Sequence, residues 1–310
     1  MTKKGKCVVC GSARVSDIRT LKHIWHCCNG CGSASRDDLP DYESTFSFKF
    51  SYKTLKKHKP PMATSIGRNE AVADDPSRLF DYMASDRHVQ LHKEQHKIFD
   101  TFKKDILERY NLDVRGRSVL DISGGNGSFA KELQGLGASV AMTEFNQKSV
   151  EFAREKFHID SRRFDFNSDD IGELFSDLKF DFVLLRFAVM FCRDIGKFID
   201  SLRPILNPGA IVVVNGSTEP TLGTMLRFQY DDYAYLVLYN SKALDERFAV
   251  KGYSRIGTHI ILGAKRSYSW DMHPKVKRLD FWLYRVPAFF KWKNRDTHIR
   301  TNVMLYRLND

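Results

Sequence analysis

The sequence predicts an α/β fold, a mostly parallel sheet with an antiparallel last strand, preceded by a small cysteine-rich module. Three observations support this prediction. Strand and helix patterns alternate from residue 117 onward, a glycine-rich turn follows the first of these strands, and five of the six cysteines precede residue 32. Strands that alternate with helices of ordinary length indicate βαβ crossovers.

The composition of the 310 residues is that of a globular protein, with 42% hydrophobic and 28% charged residues. This excludes a disordered or fibrous chain. The formal net charge of +11 favours an anionic partner, although charge alone does not distinguish phosphates, nucleic acid and a membrane surface. No apolar run reaches the ~20 residues of a membrane span. The N-terminus lacks the apolar stretch of a signal peptide, so we expect a cytoplasmic protein.

The clustered cysteines predict a structural zinc site. Cys7 and Cys10 lie in CVVCG, and Cys28 and Cys31 lie in CNGCG. A Cys-x-x-Cys turn brings two thiolates to one ion, and two such turns give the tetrahedral four-sulfur site of a zinc ribbon. Cys27 could replace Cys28 in a shifted register. Four thiolates leave no open coordination position, so we expect the metal to stabilise the fold.

The zinc ribbon is predicted over residues 1–44, and a connecting region follows over residues 45–114. Within it, alternating aromatic residues predict a strand at 45–52, and a basic segment that ends in two prolines predicts a linker at 53–61. A helix is predicted over 86–110 from its apolar face.

The third predicted unit, residues 115–310, contains the alternating strands and helices. It includes an inserted cap at about 217–245 and a basic, aromatic insertion at about 266–297. The predicted strands are 117–123, 138–144, 161–166, 180–187, 210–215 and 302–308, and the predicted helices are 129–137, 146–157 and 194–206.

The most specific motif is the glycine-rich turn in VLDISGGNG (119–127), which allows a ligand to approach the backbone closely. Asp121 lies before the glycines, Glu144 ends the second strand and Asp165 lies at the end of the third. The first acid suits a cationic amino-acid group, the second suits two ribose hydroxyls and the third suits an adenine amine. S-adenosylmethionine contains all three groups. A Rossmann domain for another nucleotide is the alternative.

These motifs resemble those of the class I S-adenosylmethionine-dependent methyltransferases, over about residues 115–265. Ser123 stands where that family usually has its first glycine. The resemblance implies a Rossmann-like methyltransferase sheet and places the cofactor contacts on these positions: Asp121, Ser123, Gly125, Gly127, Glu144, Phe145, Asp165, Phe166 and Arg186.

A ribbon directly before such a core is similar to bacterial methyltransferases of sugar, surface-polysaccharide and natural-product pathways. That likeness implies a sugar, glycan or related small-molecule acceptor, free or linked to phosphate or lipid. The resemblance does not extend to the further C-terminal domain of the sugar C-methyltransferases, which leaves O- or N-methylation open. An RNA or protein methyltransferase that docks through the ribbon and basic surface is the alternative, and a non-catalytic scaffold is a third interpretation.

No general base can be assigned from the sequence. The candidates are His88, His92, Tyr230 and Asp232. His88, His92 and His96 share one helix face, and we favour a packing or solvated stripe there over a second metal site. The segment 273–295 mixes basic and aromatic residues. A packed insertion is the favoured interpretation. The alternatives are a segment that rests on the anionic lipid of the inner membrane surface and a stacking surface for bases or sugars.

Overall fold

The computed structural model describes residues 6–19, 24–36, 84–86, 89, 97–218, 220, 225, 236–261 and 301–309. The strands are β1 (Val15–Arg19), β2 (Ile24–Cys28), β3 (Ala34–Arg36), β4 (Ser118–Ile122), β5 (Ser139–Glu144), β6 (Asp160–Arg163), β7 (Phe180–Arg186), β8 (Leu206–Thr218), β9 (Val237–Leu238), β10 (Tyr253–Ile261) and β11 (Thr301–Leu308). The α-helices are α1 (Lys97–Phe102), α2 (Ser128–Gly135), α3 (Gln147–Phe157), α4 (Ile171–Leu174), α5 (Ile195–Leu202) and α6 (Ser241–Val250).

The larger sheet has seven strands in the order β10–β11–β8–β7–β4–β5–β6. The pairs from β8 to β6 are parallel, whereas β11 is antiparallel to both of its neighbours. The predicted mostly parallel sheet with an antiparallel last strand is therefore confirmed. This order, which reverses between β4 and β7, is that of a Rossmann-like α/β sheet.

Both faces of this sheet are buried, which explains the near-continuous apolar runs of its central strands. Along β7, Val183 and Leu185 belong to one apolar cluster, and Phe182 and Leu184 belong to the cluster on the opposite face. The alternation places every second side chain of a strand on the same face. The next residue in the second series is Arg186, at the carboxyl end of β7.

Several element boundaries differ from the sequence-based prediction by a few residues. The predicted helix 194–206 ends as α5 at Leu202 and continues as a 3₁₀ turn, Arg203–Ile205, because Pro204 cannot donate a helical hydrogen bond. The α-helix α6 begins at Ser241, within the predicted cap. The end of the helix predicted over 86–110 is a π-helical segment, Lys103–Glu108.

The smaller sheet joins the cysteine-rich module to the main domain. Its order is β1–β2–β3–β9, and β9 belongs to the segment that connects β8 to α6. Ala34 pairs with Leu238 and Ser35 pairs with Val237. The backbone N–H of Arg36 donates to the Leu236 carbonyl at 3.1 Å. No sequence pattern indicates this pairing, because β9 has only two residues.

The predicted strand 45–52, the linker 53–61 and the basic aromatic segment 273–295 lie outside the described residues. Among the residues that the structure does describe, no helix is both long and apolar enough to cross a membrane.

Candidate cofactor and metal sites

The glycine-rich turn connects β4 to α2 and folds back on itself through left-handed residues. Gly125 has φ +63° and Gly127 has φ +81°, while Ser123 adopts φ +58° without being glycine. At Gly127, an added Cβ would lie 2.9 Å from the Ala153 Cβ. Glycine is therefore required at position 127 both for the backbone conformation and for the close packing of the turn on α3.

We expect the Gly127→Ala variant to lose roughly 1–3 kcal/mol of stability and to bind a ligand at the turn more weakly, because alanine is strained at this φ and collides with Ala153. Gly135→Ala in the same helix, where nothing lies within 4 Å of the added Cβ, is the matched control. It should stabilise the protein by about 0.5–1 kcal/mol. Thermal unfolding measures both, and equal melting temperatures of the two variants would contradict the packing argument.

The Glu144 carboxylate lies at the carboxyl end of β5 and is held against the glycine-rich turn. Its Oε2 accepts a hydrogen bond from the Gly125 N–H at 3.0 Å. Its Oε1 accepts from the N–H groups of Phe145 and Asn146 at 2.9 and 3.2 Å. Burial raises the pKa of Glu144, and these three donors oppose that shift. The carboxylate is thus fixed beside the turn and retains lone pairs for a ligand hydroxyl.

The Asp121 carboxylate forms a two-point ion pair with the neighbouring Arg186. Arg186 donates from Nε to Oδ1 at 3.1 Å and from Nη2 to Oδ2 at 2.9 Å. The Arg186 guanidinium also lies over the Phe129 ring, 3.5 Å from its centroid. Asp121 is fully buried, whereas the Arg186 side chain is 13% exposed. The structure therefore places Arg186 at the surface of the site, with Asp121 behind it.

The segment after β6 forms a tight turn at the same edge of the sheet. The Asp165 Oδ1 accepts from the Asn167 N–H at 2.9 Å, and the Asp165 N–H donates to the Asp169 Oδ2 at 2.8 Å. The Phe166 ring packs 5.0 Å from the Phe198 ring. These contacts fix the positions of the Asp165 carboxylate and of the Phe166 ring, which remains partly exposed.

The general-base candidates His88, His92, Tyr230 and Asp232 lie outside the described residues. Two further residues, expected at the rim of the acceptor pocket from their places at strand ends, lie at the same edge of the sheet. Phe187 follows β7 with φ +52° and is 52% exposed, and Asn215 near the end of β8 is 5% exposed. Alternation along β7 and β8 could have placed Asn215 beside Arg186, but no sequence pattern indicates the backbone conformation of Phe187.

The four cysteines predicted as metal ligands converge on one point. The Sγ atoms of Cys7, Cys10, Cys28 and Cys31 all lie within 4.8 Å of one another. Cys27 points elsewhere, with its Sγ 3.9 Å from the Met225 Sδ. Four thiols at this separation fit a tetrahedral thiolate site. The geometry therefore favours the register with Cys28.

Comparison with known proteins places the similarity in the main domain. Residues 120–214 match a family described as "Methyltransferase domain". A demethylmenaquinone methyltransferase from Clavibacter sepedonicus is 31% identical over 121 residues, which are 39% of this chain and 49% of that protein. A ubiquinone/menaquinone biosynthesis C-methyltransferase from Idiomarina loihiensis is 28% identical over 143 residues, 42% of this chain and 56% of that protein. The chain thus spans about half the length of these relatives.

The fold also resembles solved structures. A SAM-dependent methyltransferase from Archaeoglobus fulgidus aligns with a TM-score of 0.49 at 14% identity, over 72% of this chain and 100% of that one. Phosphoethanolamine N-methyltransferase 2 from Haemonchus contortus aligns with a TM-score of 0.48 at 16% identity, over 68% and 53%. The similarity to a methyltransferase domain rests on residues 120–214.

Proposed function

We propose that the protein is an S-adenosylmethionine-dependent methyltransferase that acts on a small-molecule acceptor. The observation that carries this proposal is the Glu144 carboxylate, fixed by the Gly125 N–H at the end of the second strand of the parallel sheet. The match of residues 120–214 to a methyltransferase domain supports the same assignment. When bound, the cofactor supplies a methyl group that is already activated on a sulfonium.

The chain's own residues divide the binding of the cofactor among four strand ends. Glu144 accepts hydrogen bonds from the ribose hydroxyls, and the turn at Ser123, Gly125 and Gly127 passes close to the amino-acid part. Phe145, Asp165 and Phe166 contact the adenine. The Asp121–Arg186 ion pair lies at the same strand ends, with Arg186 toward the ligand and the buried Asp121 behind it. Alignment of the acceptor then accounts for much of the rate enhancement.

Two classes of acceptor are candidates. The N-terminal ribbon resembles that of sugar and polysaccharide-pathway enzymes, which supports a sugar or glycan. The curated relatives, whose names give quinone precursors as substrates, support a hydroxylated ring, although the matched region covers about two fifths of this chain. Docking on RNA or protein remains the alternative, for which the basic composition is the argument.

We also propose that Cys7, Cys10, Cys28 and Cys31 hold a structural zinc ion. The ligand set is closed, so the metal contributes to folding and not to catalysis. Val9, which lies between two of the ligands, packs in the core of the main domain. The Asn240 N–H donates to the Ser33 Oγ at 3.1 Å beside the second knuckle. The metal would thus also hold β9 and Asn240, which follows it.

Methyl transfer from radiolabelled S-adenosylmethionine into separated lysate fractions tests the proposed function. The fractions are small metabolites and nucleotide sugars, lipid extracts with quinols and lipid-linked glycans, RNA, and protein. We expect label in one of the first two fractions with the wild-type enzyme and none with Glu144→Ala. Label in RNA or protein would contradict the small-molecule acceptor.

A further inference from the structure

Three polar residues form a row across neighbouring strands at the carboxyl edge of the large sheet. Asp121 belongs to β4, Arg186 to β7 and Asn215 to β8, and these strands are adjacent. Arg186 and Asn215 are direct partners in the parallel register. On β7, the face that carries Phe182 and Leu184 carries Arg186 as its next residue. On β8, the face that carries Ile211 and Val213 carries Asn215 as its next residue. The two polar side chains therefore lie side by side on one face.

The side-chain oxygen of Asn215, the β8 member of this row, is buried without a hydrogen-bond donor among the described residues. Its side chain is buried, with 5% of its surface exposed. Among the residues that the structure describes, none bonds to its Oδ1 atom. A buried amide oxygen without a donor is costly and uncommon in native proteins. Because the oxygen lies beside the predicted cofactor site, a bound ligand with an N–H or O–H group can supply the missing donor.

Phe187, the residue that follows Arg186, has an exposed side chain at the same edge of the sheet. Phe187 is 52% exposed and has a left-handed backbone, which a bulky side chain rarely adopts. Its N–H donates to the Asn215 carbonyl at 2.6 Å, which ties this conformation to β8. Strained backbone that the surrounding structure maintains is concentrated at ligand sites. An exposed ring next to two polar groups suits the face of a ring-shaped ligand.

We propose that Asn215, Arg186 and Phe187 form the subsite for the methyl acceptor. The Asn215 Oδ1 accepts a hydrogen bond from an acceptor hydroxyl, Arg186 donates to a neighbouring oxygen, and the Phe187 ring covers the ring that carries them. The ligand is thus a hydroxylated ring compound, and the hydroxyl can belong to an aromatic ring or to a sugar. This inference rests on the proposed methyltransferase function.

The test measures binding to the protein saturated with S-adenosylhomocysteine, under anaerobic conditions. The probes are naphthohydroquinone, its dimethyl ether, which lacks the O–H donors, and uridine diphosphate glucose. We expect either naphthohydroquinone or uridine diphosphate glucose to bind. If naphthohydroquinone binds, its dimethyl ether should bind at least tenfold more weakly. Calorimetry gives the affinities, and the probe that binds identifies the source of the hydroxyl.

Substitutions at Asn215 separate a ligand contact from a structural role. Asn215→Leu keeps the branching at Cγ and removes the unpaired oxygen, but its side chain is larger. Removal of the unpaired oxygen offsets the cost of the extra volume, so we expect the melting temperature to stay near that of wild type. Its affinity for S-adenosylhomocysteine should stay within twofold of wild type, while the bound probe loses at least tenfold. Asn215→Asp retains an oxygen acceptor and should keep most of the probe affinity.

Three outcomes would overturn the subsite. These are failure of both hydroxylated probes to bind the saturated wild-type protein, equal binding of a probe by Asn215→Leu, and a fall in the melting temperature of that variant that accounts for its loss of binding. Failure of the wild-type protein to bind S-adenosylhomocysteine is a different result, because it would contradict the methyltransferase assignment itself.

Discussion

Replacement of Glu144 by alanine is expected to weaken binding of S-adenosylhomocysteine by at least about 100-fold. The carboxylate would accept two ribose hydroxyls, and a hydrogen bond to a charged group contributes roughly 1.5–3 kcal/mol. The substitution also leaves the Gly125, Phe145 and Asn146 N–H groups without their acceptor. Calorimetric titration measures the affinity, and circular dichroism establishes that the variant is folded.

Glu155→Ala is the matched control, because Glu155 is an exposed acid on α3, the helix that follows Glu144. It should bind S-adenosylhomocysteine as the wild type does. An affinity of folded Glu144→Ala within a few fold of wild type would mean that this carboxylate does not hold the ribose.

Loss of the metal is expected to have the largest effect on stability. Purified wild-type protein should contain one zinc ion per chain, and Cys28→Ser should lose it. Metal binding by a four-cysteine site is coupled to folding of the module. Cys7 and Cys31 pack against the core of the main domain, so loosening of the ribbon should extend to that interface. We expect the melting temperature to fall by roughly 5 °C or more.

Cys27→Ser is the control for this experiment. Its Sγ faces the Trp25 carbonyl and the Met225 Sδ, each at 3.9 Å, and not the other four thiols. Elemental analysis should find the full zinc content in Cys27→Ser and a loss in Cys28→Ser. The reverse pattern would assign the second knuckle to the shifted register.

Much of the fold was predictable because its signals are local. The apolar runs 117–123 and 180–187 correspond to β4 and β7, which are buried on both faces. The pairing of β3 with β9 could not be predicted. It joins Ser35 to Val237 across about two hundred residues, and strands of two or three residues leave no periodic pattern.

The candidate site was predictable where one residue type serves one purpose. Glu144 and Gly127 are required by their positions at a strand end and in a tight turn. The ion pair of Asp121 with Arg186 was not predicted, since each residue was assigned to the ligand separately and the sequence does not show which charges compensate each other. The place of Asn215 at a strand end could be predicted, but its unpaired oxygen could not, because that becomes visible only when the surroundings are known.

The most direct test of the methyltransferase assignment is a competition between two adenosine-containing ligands for the wild-type protein. S-adenosylhomocysteine and NAD would both suit a glycine-rich turn with an acid at the second strand end. The amino-acid group of S-adenosylhomocysteine requires an acid before the turn, as Asp121 is, whereas NAD does not. We predict that S-adenosylhomocysteine binds in a one-to-one complex and that a large excess of NAD does not displace it. Binding of NAD in preference to S-adenosylhomocysteine would contradict the assignment.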